Sequence, residues 1–314
     1  MNISNLNELL RTQILNEGST LSVDFFTNEL KKVKYGCAFF SNDIDELEKA
    51  IEQGAFVIVF EKDIQINHKD IFYLKSENLK QSLTNLLRFI SEEKEFEFLY
   101  CQKIALNYAK AFFINVLTGD IFKDFKLLTN AKKNSLFCFD DKKYLIKFSV
   151  NLKELKKANF ELLNQSSIFF TNLLCQNHYF KDLAFPYVYA EIFSSFVAFF
   201  KNERKELKFD AKKLDFFKIY FINENFEIVD FGKSSRAFII VFDLFNFEFM
   251  SERLKDIKGF KTALNSLFCD FAYTKLSDLR LLKDFRYCLL QLENEEEFLK
   301  EFSQKQIQER SLFD

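Results

Sequence analysis

Val33-Lys34-Tyr35-Gly36-Cys37-Ala38-Phe39-Phe40 (VKYGCAFF) places one of only six glycines in 314 residues just before an apolar run. A glycine there supplies the positive φ or the close approach of a turn that leads a loop into a buried strand, predicted at 37–40. Downstream, SNDIDELEKAIEQ (41–53) reads as a helix whose first side chains accept from orphan backbone N–H groups. Gly54 then stands where a left-handed helix stop is wanted. AFVIVFE (55–61) is short, branched and apolar, as a fully buried strand is. A further strand is predicted at IFYL (71–74) and a capped helix at 76–93. Upstream, Ile3, Leu6, Leu9, Leu10 and Ile14 recur at helical spacing and predict a helix over 3–16, and LSVDFF (21–26) alternates like a strand. Strands and helices alternating within the first 95 residues define a small α/β domain.

A second region opens with the strand FEFLYC (96–101) running into a helix predicted over 102–117. Strand-like segments are read at 125–129, 135–139 and 143–149, and a helix near 151–158. Pro186 opens an apolar helix, a short helix is predicted at 210–217, and strands pair around Asn223-Glu224-Asn225. AFIIVFD (237–243) is a strand, 247–258 a helix, and the remainder a helix, the strand YCLLQL and a charged helix. The expected organisation is thus a domain at 1–95, a second at 96–258 and a C-terminal segment at 259–314.

A net charge of −2 supplies no field for nucleic acid or an anionic membrane, so clusters such as Lys31-Lys32-Val33-Lys34 and Lys142-Lys143 read as solvated faces. With 44 phenylalanines, aromatic stripes are read as core. The six cysteines are widely spaced, lie in apolar segments and form no C-x-x-C pair, which points to buried thiols in a reducing compartment. Two histidines exclude a histidine-rich metal centre. No signal-like apolar region and no apolar run of about 18 residues is present. The chain is therefore expected in the cytoplasm, without membrane insertion.

Lys32, Val33, Gly36, Phe39 and Phe40, then Ala50, Ile51, Gly54 and Ala55, then Val57, Val59 and Glu61 stand in order at compatible spacing. They resemble the K-V-x-P-G-D-x-F-F, A-I-x-x-G-A and V-x-V-x-E elements of the N-terminal domain of the Mur ligases. Those enzymes use ATP to add amino acids to UDP-N-acetylmuramoyl precursors of peptidoglycan. The resemblance covers the first third of the chain well and another third weakly. It implies an α/β fold: a small Mur-ligase-like N-terminal domain followed by a degenerate central-like domain.

It also implies sites. The family places an Asp-Ser/Thr-Arg element beside the uridine diphosphate; here the positions read Glu29-Leu30-Lys31. Leucine has no hydrogen-bonding group and lysine offers a point charge in place of a forked donor. Thr27, Asn28, Lys31 and Lys34 are the expected precursor contacts. At the ATP site the family needs a glycine-rich loop ending in Lys-Thr/Ser, so that backbone N–H groups and the lysine hold the phosphates. FEFLYC passes straight into QKIALNYAKAFF, leaving Lys103 as the candidate phosphate ligand. Gly232-Lys233-Ser234-Ser235 lacks the earlier glycine of a phosphate loop and precedes a strand, so it reads as a turn. Asn164 and Gln165 replace the family's magnesium-binding glutamate. In FDLFNFEF, Asp243, Phe245 and Asn246 fit part of the D-D-x-Y-N-x-N-P element near the adenosine, although Asp243 equally suits the cap of the following helix. The segment between Asn164 and Pro186 is too short for the family's carbamylated-lysine region, and about 55 residues after 258 are fewer than its C-terminal domain needs.

Ser194-Ser195 lacks a glycine elbow, Asp140-Asp141 reads as surface, and His178 as a hydrogen-bonded edge residue. The expectation is a non-catalytic Mur-ligase-like protein that binds a UDP-N-acetylmuramoyl precursor or a cell-wall synthesis protein, with no cofactor and no nucleic acid. Two alternatives stand beside it: a divergent ligase using ATP and magnesium, and a purely structural interaction protein.

Overall fold

The computed structural model describes residues 1–164, 167–265 and 269–303. The chain forms two compact units, Met1–Leu155 and Lys156–Asp314.

The first unit begins with α1 (Ile3–Leu10), capped by the Asn2 side chain. The helix expected over 3–16 ends early. Arg11 turns left-handed (φ 55°), its N–H returning to the Asn7 and Glu8 carbonyls, and the chain continues as β1 (Thr12–Asn16). Ile14 therefore extends a strand, because the branched residues of 12–16 gain a pairing partner that a lengthened helix would forgo. The strand expected at 21–26 shrinks to β2 (Phe26–Thr27). Then follow β3 (Cys37–Phe40), α2 (Ile44–Glu52), β4 (Ala55–Phe60), β5 (Phe72–Ser76) and α3 (Leu79–Glu93), all close to expectation. The sheet runs β1-β5-β4-β3-β2, with only β1 antiparallel. Gly36 has φ +79° and donates its N–H to the Gly54 carbonyl at 2.8 Å. A Cβ on it would meet nothing within 4 Å, so the turn needs glycine for its φ alone and not to avoid a clash.

A second sheet follows: β6 (Glu97–Tyr100), α4 (Lys103–Ala109), β7 (Asn115–Val116), α5 (Ile121–Thr129), β8 (Leu136–Phe139), α6 (Lys142–Leu145) and β9 (Leu152–Glu154). Its strands are parallel in the order β7-β8-β6-β9. Four expectations fail here. The helix over 102–117 stops in a 3-10 turn and a left-handed Phe113 (φ 60°), which frees 115–116 to pair with β8. The segments 125–129 and 143–149, read as strands from apolar content, lie in or begin with helices that Asp120 and Asp141 cap. The helix near 151–158 is instead β9, recruited by pairing with β6. Short apolar runs do not distinguish helix from strand, and here caps and pairing partners choose.

One apolar core joins both sheets of this unit, from Ile3 to Phe148, with the Phe40 and Phe125 rings 5.3 Å apart across it. The boundary expected near 95 falls between α3 and β6, inside the unit. On the far face of the first sheet a smaller cluster, including Cys37, Phe39, Leu47 and Ile58, packs beneath α2.

In the second unit β10 (Phe160–Leu162), β11 (Thr171–Cys175) and β12 (His178–Leu183) form an antiparallel sheet. Pro186 leads through a 3-10 turn into α7 (Ala190–Asn202), whose residues 192–200 are all buried. The helix expected at 210–217 is only a 3-10 turn, Ala211–Lys213, because β13 (Phe217–Ile222) claims the following residues. β14 (Ile228–Val229), β15 (Arg236–Val241), α8 (Leu244–Leu254), β16 (Phe260–Leu264), β17 (Phe271–Ala272), β18 (Tyr287–Gln291) and α9 (Glu296–Phe302) complete the described chain. The order is β14-β13-β15-β18-β16-β17, with a β13/β14 hairpin around Asn223 and parallel pairing from β15 onward. The segment expected to stand apart from 259 onward thus shares a sheet with earlier strands, since β18 lies between β15 and β16. Among the described residues no helix is long and apolar enough to cross a membrane.

Candidate functional site

In a parallel sheet the loops leaving the carboxyl ends of the strands gather at one edge, where ligands of α/β proteins bind. In the first sheet β2 and β3 run side by side with Thr27 paired to Phe39, so the segments starting at Asn28 and Ser41 leave together. A hollow of ≈ 600 Å³ opens there, lined by Ser41, Asn42, Asp43, Ile44, Asp45 and Lys62. The Ser41 hydroxyl donates to Glu46 Oε2 at 2.6 Å, and Asp43 Oδ1 accepts from the Asp45 and Glu46 N–H groups, capping α2. Asn42 Oδ1 accepts from the Glu61 N–H at 2.9 Å, and Lys62 lines the same hollow. These residues carry no motif of their own; the signal was three polar residues directly after a buried strand.

The four expected precursor contacts do not assemble around this hollow. Thr27 is buried, and its hydroxyl accepts from the Glu29 N–H at 3.1 Å. The Asn28 amide donates to the Phe122 carbonyl at 2.8 Å, tying the edge of the first sheet to α5. Lys31 is exposed in the 3-10 turn of the crossover that follows. Lys34 lies at the opposite edge, before β3, with its ammonium 4.6 Å from the Phe25 ring centroid. The four residues of β3 separate the two edges by about 13 Å. Glu29 pairs with Lys126 at 2.9 Å and Lys32 at 3.7 Å, and the Lys126 ammonium holds its carboxyl below the usual range.

At the second sheet only Cys101 and Gln102 connect β6 to α4. Cys101 is buried and Gln102 makes no side-chain cap, so Lys103 enters a seven-residue helix without any preceding loop. These residues do not fit a nucleotide phosphate: the donors that a glycine-rich turn would present have no chain to carry them. The sheet does contain one glycine-bearing strand-to-helix turn, at 117–120. Gly119 sits at φ +81°, and a Cβ there would come within 2.6 Å of the Phe139 ring. Its N–H groups are already spent. The buried Asp124 carboxylate accepts from Thr118 N at 2.8 Å, Thr118 Oγ1 at 2.9 Å, Gly119 N at 3.1 Å and Tyr144 OH at 2.6 Å. Burial, followed by the bond to Asp124, raises the Tyr144 hydroxyl well above its ordinary value.

Asp243 and Asn246, expected near an adenosine, meet each other instead. Asp243 caps α8 through the Asn246 N–H at 2.8 Å and takes the Asn246 amide at 2.7 Å on its second oxygen. The fully buried Asn246 accepts the Tyr189 hydroxyl at 3.0 Å. Burial raises the Tyr189 hydroxyl well above its ordinary value, with the Asp243 charge adding to the shift. Gly232 lies in the turn before β15, closed by a bond from Lys233 N to the Asp230 carbonyl. The Asn164 carbonyl accepts from Asn172. Gln165 lies outside the described residues. His178 bonds the Gln176 carbonyl at 2.9 Å. The Cys37, Cys175 and Cys288 thiols are buried, which pushes each of them up. Among the described residues no three His, Cys, Asp or Glu side chains are grouped to hold a metal ion.

Two sheets in the first unit, parallel except for β1, with an antiparallel three-stranded sheet and a mixed six-stranded sheet in the second, define a multi-sheet α/β chain. Its fold is that of the Mur ligases. MurF ligase from Thermotoga maritima, solved in complex with ADP, matches 88% of this chain and 96% of its own at a TM-score of 0.53 and 11% identity. MurF from Acinetobacter baumannii matches 84% of this chain and 78% of its own at 0.50 and 11%. No protein-family model matches the sequence, and no curated protein matches it.

Proposed function

We propose that this chain is a non-catalytic protein of peptidoglycan precursor metabolism, built on the Mur ligase fold, that binds a UDP-N-acetylmuramoyl precursor where its relatives in fold carry out ligation. One observation carries the reading: the two-residue connection between β6 and α4. Acyl-phosphate chemistry needs the ATP phosphates fixed by several backbone N–H groups and a lysine, and two residues entering an uncapped helix supply neither the loop nor its donors. The neighbouring turn that has both a glycine and paired N–H groups supports the same reading, because Asp124 already occupies it. The carboxyl edge of the first sheet is the surface proposed to meet the precursor, through the Asn42 amide and the Lys62 ammonium. Asp43 and Asp45 line the same hollow and oppose a diphosphate, so the expected affinity is modest.

Isothermal titration with ATP-magnesium and, separately, with a UDP-N-acetylmuramoyl peptide tests this. Silence toward ATP together with precursor binding that Asn42→Leu and Lys62→Ala each weaken by about fivefold is the expected result. Micromolar ATP affinity would overturn the non-catalytic reading in favour of a divergent ligase. Silence toward both ligands would overturn the precursor reading.

A further inference from the structure

α1 and α3 lie against each other in the first unit, joined by Asn85 to the Leu9 carbonyl at 3.2 Å and Ser82 to the Leu10 carbonyl at 2.7 Å. Between them and the segment leading into β2 runs a groove of ≈ 600 Å³, away from the hollow at the carboxyl edge. Its floor is apolar: Val23 and Ile90 are buried, Leu9 and Phe26 partly so, and the Phe89 ring is 38% exposed. A second hollow of ≈ 390 Å³ shares Glu8, Leu9 and Phe89 with it and is otherwise polar, lined by Arg11, Asn85, Arg88 and Glu92, with Arg88 paired to Glu92 at 3.5 Å, so the apolar and acidic surface is confined to the larger hollow. Three carboxylates, Glu8, Asp24 and Glu93, line the larger hollow, and no lysine or arginine does. The Met1 ammonium is turned onto the Val23 carbonyl at 2.8 Å and toward Asp24 at 3.4 Å. Among the described residues Glu8 and Glu93 make no ion pair.

We propose that this groove docks a basic amphipathic helix of a partner protein, its apolar side on Leu9, Phe26 and Phe89 and its lysines or arginines against Glu8, Asp24 and Glu93. Shape and charge select this occupant. The apolar floor of the larger hollow suits the anchors of a helix, and a rim on which Asp24 meets only the Met1 ammonium while Glu8 and Glu93 carry no ion pair repels an acidic segment and attracts a basic one. A half-exposed aromatic ring inside a concavity is the kind of anchor point that such interfaces bury. The proposal stands on the groove and is independent of the precursor reading.

Fluorescence anisotropy tests it with a labelled helical peptide of about 18 residues, leucines along one face and lysines on the other, beside a peptide with glutamate for lysine. The full chain is expected to bind the lysine peptide at least about tenfold more tightly than the glutamate one. Glu8→Lys with Glu93→Lys is expected to invert that preference. Phe89→Ala is expected to weaken the lysine peptide about fivefold with an unchanged circular dichroism spectrum. Glu52→Lys with Glu77→Lys, which makes the same change in net charge elsewhere on the unit, is expected to leave the preference standing. Equal binding of both peptides, no binding at all, or an equal loss from the control pair would overturn the proposal. So would a concentration-dependent dimer in sedimentation that the groove substitutions dissolve, because the occupant would then be a second copy of this chain.

Discussion

The turn from β6 to α4 and the turn from β7 to α5 belong to the same small parallel sheet and face the same task of delivering a strand into a helix. The first does so in two residues, with a buried cysteine and no cap. The second uses four, includes a glycine in the left-handed region, and aims two backbone N–H groups inward. Only the second has the form of an anion cradle, and it is filled by a carboxylate from its own helix. A nest of N–H groups is thus not by itself a ligand site; what decides is whether the chain already provides the anion. Inside the unit, a fixed internal carboxylate adds stability and holds α5 to α6 through Tyr144.

Breaking the filled turn should have the largest effect. Asp124→Ala leaves two N–H groups and two hydroxyls without their shared acceptor, and urea denaturation should show a loss of about 3 kcal/mol. Tyr144→Phe, which removes one donor only, should cost about 1 kcal/mol. Equal costs for the two would show that the N–H groups find other partners and that the turn is not built around its carboxylate.

The contrast sharpens in the second unit, where Asp243 caps α8. Asp243→Ala should cost about 1 kcal/mol in the same measurement. Lys103→Ala at the short turn should leave stability within about 0.5 kcal/mol of the unaltered chain, as surface substitutions usually do. If Asp243→Ala instead left stability unchanged and altered ATP binding, the residue would belong to a nucleotide site and not to a helix cap.

The smallest effect concerns the Glu29 pair with Lys126, which links the crossover after β2 to α5. The folded carboxyl is held below its unfolded value of about 4.3, so its contribution is complete above that pH and disappears as pH falls through the folded value. Because both side chains are largely exposed, the contribution should be about 0.5 kcal/mol at most. Lys126→Ala should flatten that part of the stability profile between neutral and acid pH. A profile that stays unchanged would mean that the pair adds nothing to the joint between the two sheets.

Much of the first sheet was legible in the sequence because each signal there is local. Gly36 needs positive φ, Asp43 caps a helix, Gly54 ends it, and 55–60 is too apolar to lie anywhere but inside. From 102 to 158 the reading failed where local signals were weak. The run at 125–129 suits either helix or strand until Asp120 caps it, and 152–154 becomes a strand only because β6 lies beside it. The candidate site divides in the same way. The missing loop before Lys103 is a property of the sequence. The distance of Lys34 from the carboxyl edge, the capture of Asn28 by the Phe122 carbonyl and the burial of Asn246 against Tyr189 are not.

By itself, then, the sequence determined the α/β class, the turns that require a left-handed residue and the lack of a phosphate loop, since these depend on one residue and its immediate neighbours. Only the tertiary structure decided that both sheets of the first unit share one core, that Asp124 fills the one cradle of its sheet, and that α1 and α3 leave an acidic apolar groove between them. Each of these depends on side chains far apart in the chain, and their contact is fixed by the packing of the whole unit.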